Sequence, residues 1–306
     1  MLKRHDHVFL LTLTVSAAIV VSLVGCDEPA PEAAAPSQFF YAIEVESPGW
    51  DTLVYVNGNP VQRLGAERVD RRELTIWVRA GTNTVRIEST RTGQSAAAKQ
   101  RCLVRFTQST DVDDSQQTEV IGQIDELPAE LDRYEVEFEF DCPNDYRWAW
   151  QSSDAIGELG EADRAEIVGL IDALARTLRE KDIDAMVSLP YPYWDSDSPQ
   201  GDAASEEFGM TIEPRELAKT VFQYKDYVVV TTPSEQLSFV TGERTVMVCR
   251  DPQADPDAPH QQYYPLVLYA GKSAIETTED GRPPLAFNHS QLHFIKRGGQ
   301  WLMLSL

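Results

Sequence analysis

Basic residues are scarce in this sequence of 306 residues. It has 27 lysines and arginines against 49 aspartates and glutamates, so its formal net charge at pH 7 is −22. A chain this acidic lacks the positive surface that binds phosphate backbones, and anionic lipid headgroups would repel it. We therefore expect no nucleic acid partner. The simplest interpretation of the negative charge is that it keeps the protein soluble.

Cysteine is also rare, with residues only at Cys26, Cys102, Cys142 and Cys249. No two of them have the CxxC spacing of a zinc ribbon or a thioredoxin-type site. The sequence also lacks the nucleophile elbow GxSxG, the zinc motif HExxH and the phosphate-binding P-loop. Cys249 ends an apolar strand without a basic helix terminus beside it, which favours a buried thiol. The sequence therefore predicts no catalytic residue and no cofactor.

Metal-ligating patterns are incomplete. The acidic stretch 195–206 has carboxylates at three positions of a calcium-binding loop, but it lacks the glycine that the sharp turn requires. His289 and His293 would share an ion on a helix, whereas in a strand four residues span about 13 Å. We predict no metal site.

An apolar run over residues 8–24 follows Lys3 and Arg4. A basic start and an apolar stretch form an export signal, with an uncleaved membrane anchor as the alternative. The run ends in Leu23-Val24-Gly25-Cys26, which resembles the lipobox of bacterial lipoproteins. The resemblance implies a signal peptide over residues 1–25 and a diacylglycerol on Cys26, which would carry the palmitate.

Residues 26–37 continue with a Pro/Ala-rich acidic stretch that has no apolar side chains to bury. Such a segment favours an extended backbone, so as a tether it would span about 30 Å. Several acyl chains hold a protein on a bilayer without a spanning helix. We therefore expect an extracytoplasmic protein anchored to a cell-envelope membrane lipid through acylated Cys26.

About 270 residues follow the tether, enough for two domains. Residues 38–150 read as strands, among them residues 74–78, with Gly, Pro, Asn and Asp between them. Asn57-Gly58 predicts a type I′ hairpin, since both central residues of that turn need positive φ, and we expect Gly81 to close another hairpin. The pattern predicts an antiparallel β-sandwich. Residues 54–89 resemble the jelly-roll modules found beside catalytic domains in glycosidases and other exported proteins.

Residues 151–306 begin with a helical pattern. Apolar residues at Ile167, Leu170, Ile171 and Leu174 have helical spacing. A short helix starting near Asp182, a further helix start at 213–215 and then strands follow. This order, with a terminal hairpin at Gly298-Gly299, resembles the cystatin-like α+β cone of the nuclear transport factor 2 superfamily. Two long insertions, 195–207 and 251–262, depart from the family and affect the expected pocket rim.

Aromatic residues suggest possible ligand sites. Tyr191, Tyr193 and Trp194 follow the second helix, where the resembled cone opens its cavity, and with His293 they would hold a small apolar ligand or polarise a carbonyl. The simpler interpretation, which we favour, is that they are rim and core residues. Trp77 would be a sugar-stacking platform or, as we prefer, a contact between domains. We interpret the aromatic residues at 146, 148 and 150 as further packing between domains.

Two cysteines of the predicted sandwich point with the apolar residues of their strands. Cys102 shares a strand face with Phe106, and Cys142 shares one with Phe138 and Phe140. Because an exported chain meets an oxidising compartment, we predict a Cys102–Cys142 disulfide.

The last strand is apolar on both faces, with Trp301 and Met303 on one face and Leu302 and Leu304 on the other. One face must cover the long helix, and so large an apolar patch on the other usually marks an interface. We expect this face to be buried against the sandwich, a protein partner or a second copy in a homodimer. The sequence therefore predicts a binding or scaffolding protein rather than an enzyme. The alternatives are an isomerase- or hydratase-type enzyme using the cone and a carbohydrate-binding role for the sandwich.

Overall fold

A computed structural model describes the chain in fourteen stretches and single positions. They are residues 40–46, 50–64, 69–91, 103–109, 119–124, 131–143, 148–191, 215, 219, 222, 227–251, 266–270, 285–289 and 291–304.

In these stretches the chain is mostly antiparallel β-structure with few helices, as the sequence predicts. The first eight strands are β1 (Phe40–Glu46), β2 (Trp50–Val56), β3 (Asn59–Leu64), β4 (Val69–Glu73), β5 (Gly81–Arg91), β6 (Leu103–Ser109), β7 (Glu119–Ile124) and β8 (Arg133–Cys142). After them come α1 (Glu161–Glu180), α2 (Ile183–Val187), β9 (Tyr227–Thr231), β10 (Leu237–Thr241), β11 (Thr245–Arg250), β12 (Leu266–Ala270), β13 (Leu285–His289), β14 (Leu292–Arg297) and β15 (Gln300–Met303). Short 3₁₀ helices lie at Thr75–Trp77, Ala149–Ser152 and Ser234–Gln236.

The first eight strands form a β-sandwich. One sheet has the order β4-β1-β6-β7 and the other has the order β3-β2-β5-β8. Tyr41 and Phe106 of the first sheet contact Phe140 of the second, with ring centroids 5.0 and 4.9 Å apart. Val54, Ile87 and their neighbours complete this core. Alternate residues are buried along most of β5, and the two sheets face each other across this core, as the sheets of a β-sandwich do.

The turn between β2 and β3 confirms one local prediction. Asn57 and Gly58 have φ values of +51° and +73°, as a two-residue type I′ hairpin requires. The Asn57 amide donates to the Trp77 carbonyl oxygen at 3.0 Å and to Asn83 Oδ1 at 2.7 Å, which fixes the turn against the 3₁₀ helix and the start of β5.

Residues 74–78 do not form the predicted strand. Thr75–Trp77 is a 3₁₀ helix, and Leu74, Thr75, Trp77 and Val78 are all buried rather than alternating between two faces. The chain leaves β4 in one sheet and enters β5 in the other at this point, so it must turn. For the same reason Gly81 begins β5 without closing a hairpin, because β5 pairs with β2 and β8.

The C-terminal part is organised around α1 and a four-stranded sheet of order β10-β11-β14-β15, which we call the C-terminal sheet. The apolar face of α1 is buried as predicted, with Ile167, Ile171 and Leu174 almost fully covered. It packs against residues on one face of the C-terminal sheet, including Phe294 and Trp301. Asp182 caps the N-terminus of the short helix α2, because its carboxylate accepts a hydrogen bond from the Ala185 amide at 2.9 Å. A separate three-stranded sheet has the order β13-β12-β9.

Residues Ser37–Leu306 group into one compact unit. The predicted boundary at residue 150 lies in a segment that is bonded both to the sandwich and to the C-terminal sheet, as described below. The two-domain division and the cystatin-like cone stay predictions. No helix within the described stretches is long and apolar enough to cross a membrane.

Candidate functional site

The C-terminal sheet covers the edge of the sandwich at β3. Strands β10 and β11 pack against β3. Ile295 and Leu304, on the face of the sheet opposite α1, belong to the same buried cluster as the sandwich core. We call this contact the junction. It confirms that the second apolar face of the C-terminal sheet is buried, and the sandwich is what covers it.

Two hairpin turns meet at one end of the junction. The Glu243 amide donates to the Gly58 carbonyl oxygen at 3.1 Å, and the Arg244 amide donates to Asn59 Oδ1 at 3.0 Å. Asn59 is fully buried. The chain at Gly242 approaches so closely that a Cβ there would lie 2.4 Å from Pro60 Cδ and 2.7 Å from the Gly58 carbonyl oxygen. A glycine is therefore required at this contact.

Replacing Gly242 by Ala is expected to lower the free energy of unfolding by about 1–3 kcal/mol, because overpacking forces backbone shifts. Gly157→Ala is the matched control, since a Cβ at Gly157 would meet nothing within 4 Å. Urea unfolding of both variants measures the difference. Equal stabilities of the two variants would contradict the close approach of the turns.

A buried guanidinium links the sandwich to the C-terminal sheet. Arg63 on β3 makes two hydrogen bonds to Asp51 on β2, at 3.0 and 2.6 Å. Its Nη1 also donates to Ser238 Oγ on β10 at 3.1 Å, and the Gln291 amide donates to its carbonyl oxygen at 2.6 Å. Burial alone would lower the pKa of Arg63, but the hydrogen bonds and charge of Asp51 raise it above its ordinary value.

Cys249 lies beside this guanidinium, with its Sγ atom 3.9 Å from Arg63 Nη1. The residue is fully buried, which confirms the sequence-based prediction of a buried thiol. Burial raises the pKa of the Cys249 thiol to about 11, although the neighbouring Arg63 acts in the opposite direction. A thiol with this pKa is protonated at neutral pH and is a poor nucleophile.

Trp77 and His293 meet at the centre of the junction. Their ring centroids are 4.8 Å apart, and both residues are buried. Trp77 therefore contacts the C-terminal sheet from the sandwich, in line with the interpretation that we preferred. Because it is buried, it cannot serve as a sugar-stacking platform.

Residues 148–160, which we call the linker segment, are bonded to both halves. The indole nitrogens of Trp148 and Trp150 donate to the carbonyl oxygens of Val78 and Ile76 at 2.9 and 2.8 Å. Both bonds are made to the sandwich, and both tryptophans belong to its buried core cluster. Their predicted packing between domains stays a prediction. Tyr146 lies outside the described residues.

The other end of the linker segment holds both turns of the C-terminal sheet. The Ile156 amide donates to the Glu243 carbonyl oxygen at 2.8 Å, and the Asp154 amide donates to the Lys296 carbonyl oxygen at 2.7 Å. The Gly299 amide in turn donates to the Asp154 carboxylate at 3.1 Å. The segment between the halves is therefore fixed by hydrogen bonds along its length.

An ion pair joins the start of α1 to the C-terminal sheet. The Asp163 carboxylate accepts from Lys296 Nζ at 2.7 Å and from the Trp301 indole at 2.9 Å. The hydrogen bond from Lys296, followed by that from Trp301, lowers the pKa of Asp163, and the same contact raises the pKa of Lys296. The group fixes the start of the helix on the sheet.

The structure does not bring together the predicted ligand-binding residues that it describes. His293 contacts the sandwich, whereas half-buried Tyr191 packs beside α1 on the other face of the C-terminal sheet. Tyr193 and Trp194 lie outside the described residues. His289 is on β13, in a different sheet from His293. Within the stretches that the structure describes, no group of His, Cys, Asp and Glu side chains is arranged to hold a metal ion.

The lipidation and disulfide predictions depend on residues that the structure does not describe. Cys26 and Cys102 lie outside the described residues. Cys142 is buried in the sandwich core. Its thiol lies next to the Tyr41 hydroxyl, whose pKa is raised first by burial and then by this neighbour. The Cys102–Cys142 disulfide stays a prediction.

The main residues that sequence analysis missed are Asp51, Asn59, Arg63 and Gly242. Asp51 and Arg63 occupy the strand face on which alternation places solvent-exposed side chains. Only their position at the edge that the C-terminal sheet covers buries them. Asn59 follows the Asn57-Gly58 turn, and no sequence signal shows that a second turn binds it.

No protein-family model matches the sequence, and no curated protein or solved structure is similar enough to match it.

Proposed function

We propose that this protein is a lipid-anchored, extracytoplasmic binding or scaffolding protein whose folded part acts as a single body. Acylated Cys26 would hold it on a bacterial cell-envelope membrane, with residues 26–37 as the tether. The lipobox-like residues Leu23-Val24-Gly25-Cys26 support the anchor.

The observation that carries the scaffolding role is the junction. A hinged enzyme needs two parts that move against each other or a pocket between them. Here the sandwich and the C-terminal sheet are bonded together by Arg63, Asn59 and the linker segment. Trp77 fills the space between them. Such an arrangement supports a body that presents outer surfaces at a fixed geometry.

The enzyme alternative has less support. An isomerase or hydratase of the cone type needs an acid or base held inside the cone next to an aromatic hydroxyl. Among the described residues, no Asp or Glu is fully buried, and Tyr191 and His293 lie on opposite faces of the sheet. The carbohydrate-binding alternative also has less support, because Trp77 is buried and cannot stack on a sugar.

We also propose the finer fold assignment as a cystatin-like cone for residues 151–306. A long helix packed across one face of an antiparallel sheet supports it, together with the short α2 and the terminal hairpin at Gly298-Gly299. The jelly-roll likeness of residues 54–89 is supported only by the presence of two four-stranded antiparallel sheets.

Replacing Cys26 by Ser is expected to abolish incorporation of radiolabelled palmitate, because the thiol is the acyl acceptor of a lipobox. The full chain should then be released from the membrane fraction or stay there as an unprocessed precursor. Cys249→Ser is the control, since that thiol is buried in the folded part and should not affect labelling. Undiminished labelling of the Cys26→Ser protein would refute the anchor.

Native mass spectrometry of the full chain extracted from membranes tests the binding role. We expect the lipidated chain to carry added mass from a partner chain or a retained ligand. If only single, unliganded copies are found over a range of gentle extraction conditions, the binding and scaffolding proposal fails, whatever the labelling experiment shows.

A further inference from the structure

Strand β8 lies at one end of the sandwich sheet of order β3-β2-β5-β8, and among the described strands only β5 pairs with it. The opposite end of this sheet, at β3, is covered by the C-terminal sheet. All ten residues of β8, Arg133–Cys142, are paired with β5. The other side of an end strand carries backbone N–H and C=O groups that a further strand can bind. We call this side of β8 the β8 edge.

The outward-facing side chains of β8 form a row of carboxylates. They occupy alternate positions, so neighbours in the row are about 6.8 Å apart. All members of the row are exposed, and they are Glu135, Glu137, Glu139 and Asp141. The β8 edge is therefore bordered on one face by negative charge along most of its length.

The middle of this row is not neutralised by the described part of the chain. Arg86 lies opposite Glu137 on β5, but it is paired with Glu88 and lies 3.7 Å from Glu135. No ion pair or hydrogen bond joins Glu137 or Glu139 to the residues that the structure describes. These two carboxylates are thus available to an opposite charge on a neighbouring strand.

The inward-facing side chains of β8 are only partly covered. Val136 and Phe138 pack against the sandwich core but are half-buried, and so is Tyr134. Their neighbours on the central strand β5, Ile87 and Val85, are fully buried. The difference arises because β8 has a neighbouring strand on one side only. A strand added at the β8 edge would cover these side chains with apolar residues of its own.

A second copy of this chain is a poor occupant of the β8 edge. Pairing of two β8 strands would bring the carboxylate row of one copy beside that of the other, and like charges on neighbouring strands are destabilising. Opposite charges in the same positions stabilise the pairing. The occupant that fits is therefore a strand with basic side chains on one face and apolar side chains on the other.

We propose that the β8 edge binds an extended segment of a basic partner protein, in which Lys or Arg alternates with apolar residues. The basic side chains would lie beside Glu137 and Glu139, and the apolar ones beside Val136 and Phe138. In such strand addition, main-chain hydrogen bonds provide affinity and the alternating side chains provide specificity. This inference rests on the proposed binding role and names the chemistry of the partner.

The test measures binding of a blocked synthetic decapeptide of alternating lysine and valine to the full-length protein in neutral detergent. A second peptide has five lysines followed by five valines, so it keeps the charge and composition but loses the alternation. The protein variant is Glu137→Gln/Glu139→Gln. Its matched control is Asp172→Asn/Glu180→Gln, which removes two exposed charges from α1.

We expect the alternating peptide to bind the wild type and to slow amide hydrogen exchange in residues 133–142. The Glu137→Gln/Glu139→Gln variant should bind it about three- to thirtyfold more weakly, the value of two cross-strand charge pairs, and the control should change by less than about twofold.

Three results would overturn the proposal: no binding of the alternating peptide, equal binding of the block peptide, or an equal loss in the control variant. Any of them would mean that the carboxylate row only protects the edge from other strands. If native mass spectrometry finds a partner while the alternating peptide does not bind, this inference fails and the proposed binding role stands.

Discussion

Replacing Asp51 by Asn is expected to lower the free energy of unfolding by about 3–5 kcal/mol, the cost typical of breaking a buried ion pair from one side. Both partners are largely covered, with side-chain exposures of 13% for Arg63 and 18% for Asp51. The neutral amide cannot balance the guanidinium, and Ser238 and the Cys249 thiol are uncharged neighbours. The variant is therefore left with an uncompensated charge inside the junction.

A double replacement separates the cost of the unpaired charge from the value of the pair. In Asp51→Leu/Arg63→Met neither charge remains, and apolar side chains of similar length fill the space. Exchanging a buried ion pair for apolar residues is often nearly neutral. Urea unfolding should therefore find the double variant more stable than Asp51→Asn. A single variant that loses less than about 1 kcal/mol would show that water reaches Arg63, contrary to its burial.

Local sequence patterns predicted the parts of the fold that local physics determines. The Asn57-Gly58 turn follows from the positive φ that both positions need. Helix α1 follows from the spacing of Ile167, Ile171 and Leu174. The two apolar faces of β15 correctly indicated that a second layer covers the C-terminal sheet.

The prediction for residues 74–78 failed because tertiary structure overrode local preference. Apolar and β-branched residues in this stretch fit a strand, but β-propensity depends on having a strand to pair with. Here the chain passes from one sheet to the other, and Trp148 and Trp150 bind the carbonyl oxygens that a strand partner would have bound.

The junction itself could not be predicted from spacing or composition. Arg63 and Ser238 are separated by 175 positions, and Arg63 and Cys249 by 186. Periodicity reports which face of a strand is covered, but it does not identify the covering element. His293 illustrates this limit of periodicity. Alternation along β14 puts His293 and Ile295 on the same face of the strand, but only the fold shows that this face contacts Trp77 and not Tyr191.

Replacing Trp77 by Ala is expected to lower the free energy of unfolding by about 3–5 kcal/mol, because the substitution removes a buried aromatic side chain and leaves a cavity. Trp77 is only 1% exposed and contacts both the sandwich core and His293. The cavity would open where the two halves meet. Since these halves belong to one compact unit, calorimetry should show the whole unit unfolding at a lower temperature in a single transition.

A double-mutant cycle with His293→Gln distinguishes the contact across the junction from a general loss of core packing. Trp77→Ala and His293→Gln should be coupled by about 0.5–1.5 kcal/mol, as aromatic pairs are. Trp50→Ala is the matched control: Trp50 is fully buried in the sandwich, but it begins β2, at the opposite end from the turn that contacts Trp77. Its effect and that of His293→Gln should add within about 0.5 kcal/mol. If Trp77 and His293 also add in this way, the rings do not stabilise each other, and the junction is held by its other contacts, among them Arg63, the hairpin turns and the linker segment.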